Sequence, residues 1–120
     1  MKKYLYIFFI LLIYSCKSDA ELAIERGIQF YDWGKFSEAL VEFNKSKFLQ
    51  LRQRNQSYQD LKLLAQTHYN LAITYAKINM YEKAYQDAQY AVSLVPNKEY
   101  REVLGLIKQK LIEKNNSASQ

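Results

Sequence analysis

The sequence predicts an all-α protein built from antiparallel helix pairs, and three observations carry that expectation. Only three Gly and one Pro occur in 120 residues, whereas an all-β sandwich needs turn residues every ~8–12 positions. Apolar residues recur at helical spacing along most of the chain. Start and stop signals for helices punctuate those segments. An apolar share of 49% is enough to fold, and the length suits one domain.

The first apolar segment stands outside that domain. Lys2 and Lys3 precede an uncharged stretch from Tyr4 to Ile13. A basic start, a short apolar run and a small residue before a cut site make a secretory signal peptide. At ~1.5 Å per residue the run reaches about half of a ~30 Å hydrocarbon core, so it reads as an address and not as a span.

The domain then follows element by element. Ser18-x-x-Glu21 makes a capping box, and Ala20, Ala23, Ile24, Gly27, Phe30 and Tyr31 form one helical face. Gly34 supplies the positive φ that ends a helix. A second helix runs from about Phe36 to about Gln53, with Ala39, Leu40, Phe43 and Ser46 inward. Arg52 to Ser57 is polar and reads as the longest internal loop. Ser57-x-x-Asp60 is another capping box, opening a helix whose face is Leu61, Leu64, Ala65, His68, Leu71, Ala72 and Tyr75. Asn79 is the next stop, Tyr81 to Leu94 the next helix, and Pro96 cannot continue it. Asn97 caps a last helix with Tyr100, Val103, Leu104, Ile107 and Leu111 on its apolar side, and residues 115–120 are expected to fray.

Composition also excludes chemistry. A single Cys rules out an intramolecular disulfide framework and every multi-cysteine zinc pattern. One His and one Cys leave little material for a nucleophilic triad, and no glycine-rich phosphate loop occurs. His68 lies on an apolar face and reads as structural, while Glu38, Glu82 and Glu102 read as solvated. The expectation is no enzyme, no metal, no cofactor and no small-molecule substrate. The net charge is +5, but Lys2 and Lys3 belong to the signal segment, which leaves 15 basic and 12 acidic residues from Cys16 onward. That surplus is too mild for nucleic acid and suits a weak attraction to anionic lipid head groups.

Ile13-Tyr14-Ser15-Cys16 closes the apolar run and resembles the lipobox of bacterial lipoproteins. The resemblance implies cleavage before Cys16, a diacylated sulfur and usually an acylated amino terminus. Two or three acyl chains at ~0.8 kcal/mol per buried CH₂ would anchor the chain stably. The expected organisation is a signal peptide over 1–15, a lipidated terminus and tether over 16–19, a helical domain over 20–114 and a flexible tail over 115–120.

Gly34-Lys-Phe-Ser-Glu-Ala39 lines up with Asn79-Met-Tyr-Glu-Lys-Ala84, and Gly27-x-x-Phe30 with Ala72-x-x-Tyr75. This resembles the tetratricopeptide repeat (TPR) family, whose unit is two antiparallel helices. Gly27, Phe30, Gly34, Phe36 and Ala39 carry the first repeat, and Ala72, Tyr75, Tyr81, Ala84 and Pro96 the second. Small residues let paired helices approach closely while aromatics fill the wedge beside them. Arg26 stands where the first repeat wants Leu, and Ala88 replaces a large residue in the second. The spacing from Ala39 to Ala84 is 45 residues instead of 34, so the helices around Lys47 to Ala65 are elongated or the loop is long. The last helix resembles the one that closes TPR arrays.

The resemblance implies a concave face that binds peptides or partner helices. By register that face carries Ile24, Ile28 and Tyr31 from one helix and Tyr69 and Ile73 from another. The carboxylate clamp of chaperone-binding TPRs is absent from it. An apolar, tyrosine-rich groove suits a segment of another protein, or the same residues pack against the chain's own elongated loop or last helix. Both readings stay open. The lipobox, the early first repeat, the enlarged linker and Leu94-Val95-Pro96 also resemble the BamD (ComL) family of outer-membrane β-barrel assembly lipoproteins. That implies a scaffold on the periplasmic face of the outer membrane, with other envelope proteins as partners. A free-standing adaptor for another envelope complex and a self-associating structural lipoprotein are the alternatives.

Cys16→Ser is expected to leave the precursor uncut and unacylated, which intact-mass measurement of the membrane fraction reads directly. A wild-type protein without acyl mass contradicts the lipobox reading.

Overall fold

Capping signals and apolar periodicity place the helices close to where the sequence predicts them. The computed structural model describes residues 2–13, 17–54 and 56–120, and every regular element in them is a helix. In order these are α1 (Lys2–Ile13), α2 (Asp19–Asp32), α3 (Phe36–Leu51), α4 (Tyr58–Lys77), α5 (Tyr81–Leu94) and α6 (Lys98–Ala118). The five expected helices are α2 to α6, and α1 is the expected signal segment folded as a helix. Among the described residues α1 packs against no other helix, and no helix is long and apolar enough to cross a membrane. Tyr14 to Cys16 lie outside the described residues, and the expected lipid attachment with them. Asn55 also lies outside them.

Side chains satisfy the orphan N–H groups at three helix starts. The Ser18 hydroxyl accepts from the Glu21 N–H at 3.2 Å. Ser57 and Asp60 form a complete reciprocal box, with the Asp60 carboxylate accepting from the Ser57 N–H at 2.8 Å. Those bonds to Ser57 hold the Asp60 carboxyl below its ordinary range. Asn97 accepts from the Tyr100 N–H at 2.8 Å.

The two hairpins α2–α3 and α4–α5 turn in the same way, 45 residues apart. In the first, Gly34 sits at φ +74°, and the Gly34 and Lys35 N–H groups donate back to Tyr31 and Phe30 at 2.9 and 2.8 Å. In the second, Asn79 sits at φ +62°, and Asn79 and Met80 donate to Ala76 and Tyr75 at 3.1 and 2.9 Å. This is a Schellman closure, which needs a left-handed residue just past the helix. Glycine reaches that region without steric cost, and asparagine is among the few other residues that visit it routinely.

Close helix approach then builds the core. A Cβ placed on Gly27 would fall 2.6 Å from Cδ1 of Phe43, so the ring rests on bare α2 backbone. Phe43, Ile24, Ala39 and Leu71 form one buried cluster across α2, α3 and α4. Ala72, Ala84, Ala88 and Ile107 form a second across α4, α5 and α6, and Tyr75 packs against both. The alanine at 88, a departure from the TPR pattern, lies in the same cluster as Ile107 of α6. Arg26, the other departure, pairs with Glu42 across the first hairpin at 3.1 Å. A buried polar bridge joins three helices, with Ser46 donating to the Ala20 carbonyl at 2.8 Å and Gln50 to Thr67 at 2.9 Å.

Two expectations are resolved or corrected by this arrangement. The 11 residues by which the two hairpins exceed the expected spacing are mostly helix: α4 has 20 residues against 14 in α2, and α3 has 16. Residues 115–118, expected to fray, continue α6 to Ala118. Neither Gly nor Pro interrupts them, and Ser117 donates to the Glu113 carbonyl at 3.0 Å.

The turn geometry gives a sharp expectation. Asn79→Val costs about 1–2 kcal/mol, because a branched side chain is forced into the left-handed region, whereas Asn79→Gly keeps or raises the stability. Thermal unfolding followed by circular dichroism reads the difference, and equal losses for both variants contradict the closure.

Candidate functional site

Helices α2, α4 and α6 run parallel along one side of the molecule. Glu21 at the start of α2 neighbours Gln59 to Gln66 of α4, and Tyr31 near its end neighbours Ile73 to Lys77. Tyr69 faces Tyr100 at the start of α6, and Ile73 and Lys77 share a cleft with Val103 and Lys110 further along it. That cleft has a volume of about 340 Å³. Tyr31, Ile73, Ala76, Val103, Leu106 and Ile107 give it an apolar wall, and Lys77, Lys110 and Tyr81 complete the lining. Lys110 pairs with Glu113 at 3.3 Å, while Lys77 makes no ion pair among the described residues.

Packing fixes the walls. Tyr31 meets Phe36 edge-on at 5.4 Å, so the aromatic expected in the first turn holds a cleft residue in place. Burial raises the Tyr31 hydroxyl above its ordinary pKa, with the Asp32 charge adding to it. Tyr69 stacks on Tyr100 at 4.8 Å, and its hydroxyl donates to Glu99 Oε1 at 3.0 Å. Burial, followed by the bond to Glu99 and its charge, pushes the Tyr69 pKa up to about 12. Tyr100 is raised as well, by burial and then by Glu99.

The five residues expected on the concave face therefore part company. Tyr31 and Ile73 line the cleft. Tyr69 lies beside it but is covered by Tyr100, so its ring belongs to the α4–α6 contact. Ile24 is only 3% exposed and sits in the core with Ala39, Phe43 and Leu71. This corrects its placement on the groove, because one face of α2 must bury against α3 and α4 together. Ile28 is 37% exposed but lies with Leu22 and Trp33 on another side of α2, away from the cleft. Of the expected repeat residues, Gly27, Ala39, Ala72 and Ala84 are buried, and Phe30, Phe36, Tyr75 and Tyr81 are half-buried. Gly34 makes the turn, and Pro96 follows the end of α5.

Sequence reasoning missed what α6 contributes. Leu106 is 63% exposed and lies off the stripe that packs α6, and a large apolar residue off its stripe was the available signal. It also missed a partner for His68. The imidazole Nδ1 lies 2.8 Å from Asp87 Oδ1, and the ring stacks on Tyr90 at 5.1 Å. An antiparallel hairpin that sets Ala72 beside Ala84 puts residue 68 beside residue 87, so the register held this pair. Both groups are largely buried and occupied with each other, which makes them a clasp between α4 and α5. Among the described residues, no three His, Cys, Asp or Glu side chains gather as a metal cage.

Compared with known proteins, the sequence matches no protein-family model and no curated protein.

The tyrosine environment predicts an alkaline transition. The folded state holds the Tyr69 proton more tightly than the unfolded chain, whose tyrosines ionise near pH 10. That contribution to stability is full below about pH 10 and is lost as pH rises through about 12. Phenolate absorbance during titration is expected to show ionisation that continues to about pH 12, and Tyr69→Phe is expected to diminish that late phase. A wild-type titration in which every tyrosine ionises with a midpoint near pH 10 contradicts the Tyr69–Glu99 contact.

Proposed function

We propose that this chain is an exported, membrane-anchored scaffold for protein–protein contacts in the bacterial envelope. Its two hairpins would be TPR-like repeats closed by α6, and Cys16 would carry the lipid. The observation that carries the binding role is the open cleft, in which Tyr31, Ile73 and Leu106 present apolar surface between three parallel helices. A folded domain covers apolar surface unless something else does, and clefts between helices accept apolar anchors of partner segments. The lipobox resemblance supports export and anchoring, and a scaffold needs neither a nucleophile nor a cofactor.

The most specific form of this reading is an accessory lipoprotein of outer-membrane β-barrel assembly. The lipobox, the early first hairpin, the lengthened α3–α4 connection and Leu94-Val95-Pro96 support it. A free-standing adaptor for another envelope complex shares everything except the partner.

Ile73→Asp combined with Leu106→Asp is the direct experiment. Both side chains border the cleft, so the carboxylates would lie in water without a partner and be desolvated when one binds. The expected outcome is a helical, membrane-bound protein that no longer recovers its partner after mild cross-linking and pull-down. Retention of the partner at wild-type level removes the cleft as the site. Recovery of a β-barrel assembly protein, of some other envelope protein, or only of the chain itself separates the three assemblies.

A further inference from the structure

We propose that the end of the domain opposite the cleft is a docking surface for an anionic lipid bilayer. The inference rests on the reading that the chain is tethered at Cys16, and it adds an orientation to that tether. Ala20 lies four residues beyond Cys16, a chain length of at most about 14 Å. The Ala20 carbonyl accepts from Ser46, and Glu21 lines one hollow with Gln59, Asp60 and Lys62, so the second half of α3 and the start of α4 lie beside the start of α2.

The side chains there have the character of an interfacial patch. Phe48, Leu51 and Tyr58 are 60%, 58% and 66% exposed. The Arg52 guanidinium lies 5.4 Å from the Phe48 ring centre, and the Lys62 ammonium 5.1 Å from that of Tyr58. Among the described residues neither base forms an ion pair, and neither does Arg54. Residues 45–62 hold five basic residues and one acidic residue, a surplus of four. The rest of the chain from Lys17 onward sums to minus one, so the basic character of the domain is concentrated at this end. The one acidic side chain of the segment, Asp60, is engaged by Ser57. The nearby Asp19 and Glu21 belong to the first turn of α2.

Exposed aromatics beside unpaired bases suit the boundary between head groups and acyl chains. The rings enter the interface while the cations meet lipid phosphates. A membrane spaced within a few residues of this patch supplies that partner continuously. The cleft, at the Gly34 and Asn79 end, would then point away from the bilayer toward proteins.

The test reads where the domain touches the membrane. The processed, lipidated protein is reconstituted into mixed phosphatidylcholine and phosphatidylglycerol vesicles. Trp33, the sole tryptophan, lies at the far end and is the internal control. In a Trp33→Phe background, Phe48→Trp is expected to emit at shorter wavelength on vesicles and to be quenched by brominated acyl chains. Native Trp33 is expected to do neither. Arg52→Gln, Arg54→Gln and Lys62→Gln together should return the reporter to aqueous emission while the protein still floats with the vesicles. Floating protein with aqueous emission at position 48 overturns the docking surface and leaves the tether standing. Should Phe48→Trp lose helical signal, Leu51→Trp replaces it with the same criteria. If intact mass finds no acyl group, the tether falls, and the reporter is titrated from solution with the same vesicles. A shift that the triple substitution weakens about a hundredfold keeps the surface, and unchanged emission overturns it.

Discussion

The arrangement depends on one missing side chain. The Phe43 ring rests against the backbone of α2 at Gly27, and any larger residue there would drive the two helices apart. Their contact seats Ile24, Ala39 and Leu71 around the ring and sets the register in which Ser46 reaches the Ala20 carbonyl. Through Gln50 and Thr67 that register is passed to α4. The second hairpin packs through Ala72, Ala84 and Ala88. Close packing of this kind tolerates little added volume, since interiors are already dense.

The second hairpin has a face that needs a further helix to cover it. A stacked array leaves its last face uncovered unless something closes it. Here α6 does so, with Ile107 among the second hairpin's alanines and Tyr100 stacked on Tyr69. That closure is incomplete. Beyond Tyr100, α6 and α4 leave the apolar cleft at Ile73 and Leu106, so the helix that completes the core also creates the candidate site. The two alternatives that the sequence left open thus divide along α4, with Tyr69 covered from within and Ile73 lining the open cleft.

The proposed functions follow a division between the two ends of the domain. At one end Ser46 and the start of α4 lie beside the start of α2, in the stretch that holds the charge surplus; at the other the cleft lies close to the Schellman turns. Screening limits exposed charges to a reach of about 8 Å at physiological salt. A basic end would therefore act only on a surface held next to it, as the proposed tether at Cys16 would hold it.

The sequence by itself determined the helices. Ser18, Ser57 and Asn97 fix three starts, Gly34 and Asn79 two stops, and these are local effects of caps and backbone conformation. It also marked Gly27, Ala39, Ala72 and Ala84 as points of close approach, because small residues at helical spacing have few other uses there. The end of α6 departs from the expected fraying, because polar residues without Gly or Pro do not sterically end a helix. The candidate site was legible only in part. Tyr31 and Ile73 came from the repeat register, but Ile24 went to the core and Ile28 to another side of α2. Which residues of an amphipathic face meet solvent depends on how many neighbours share that face, and α2 has both α3 and α4. The covering of Tyr69 and the entry of Leu106 into the cleft were decided by tertiary structure alone. Each is a contact between helices whose relative rotation and offset arise from packing, and packing is not a property of any one segment.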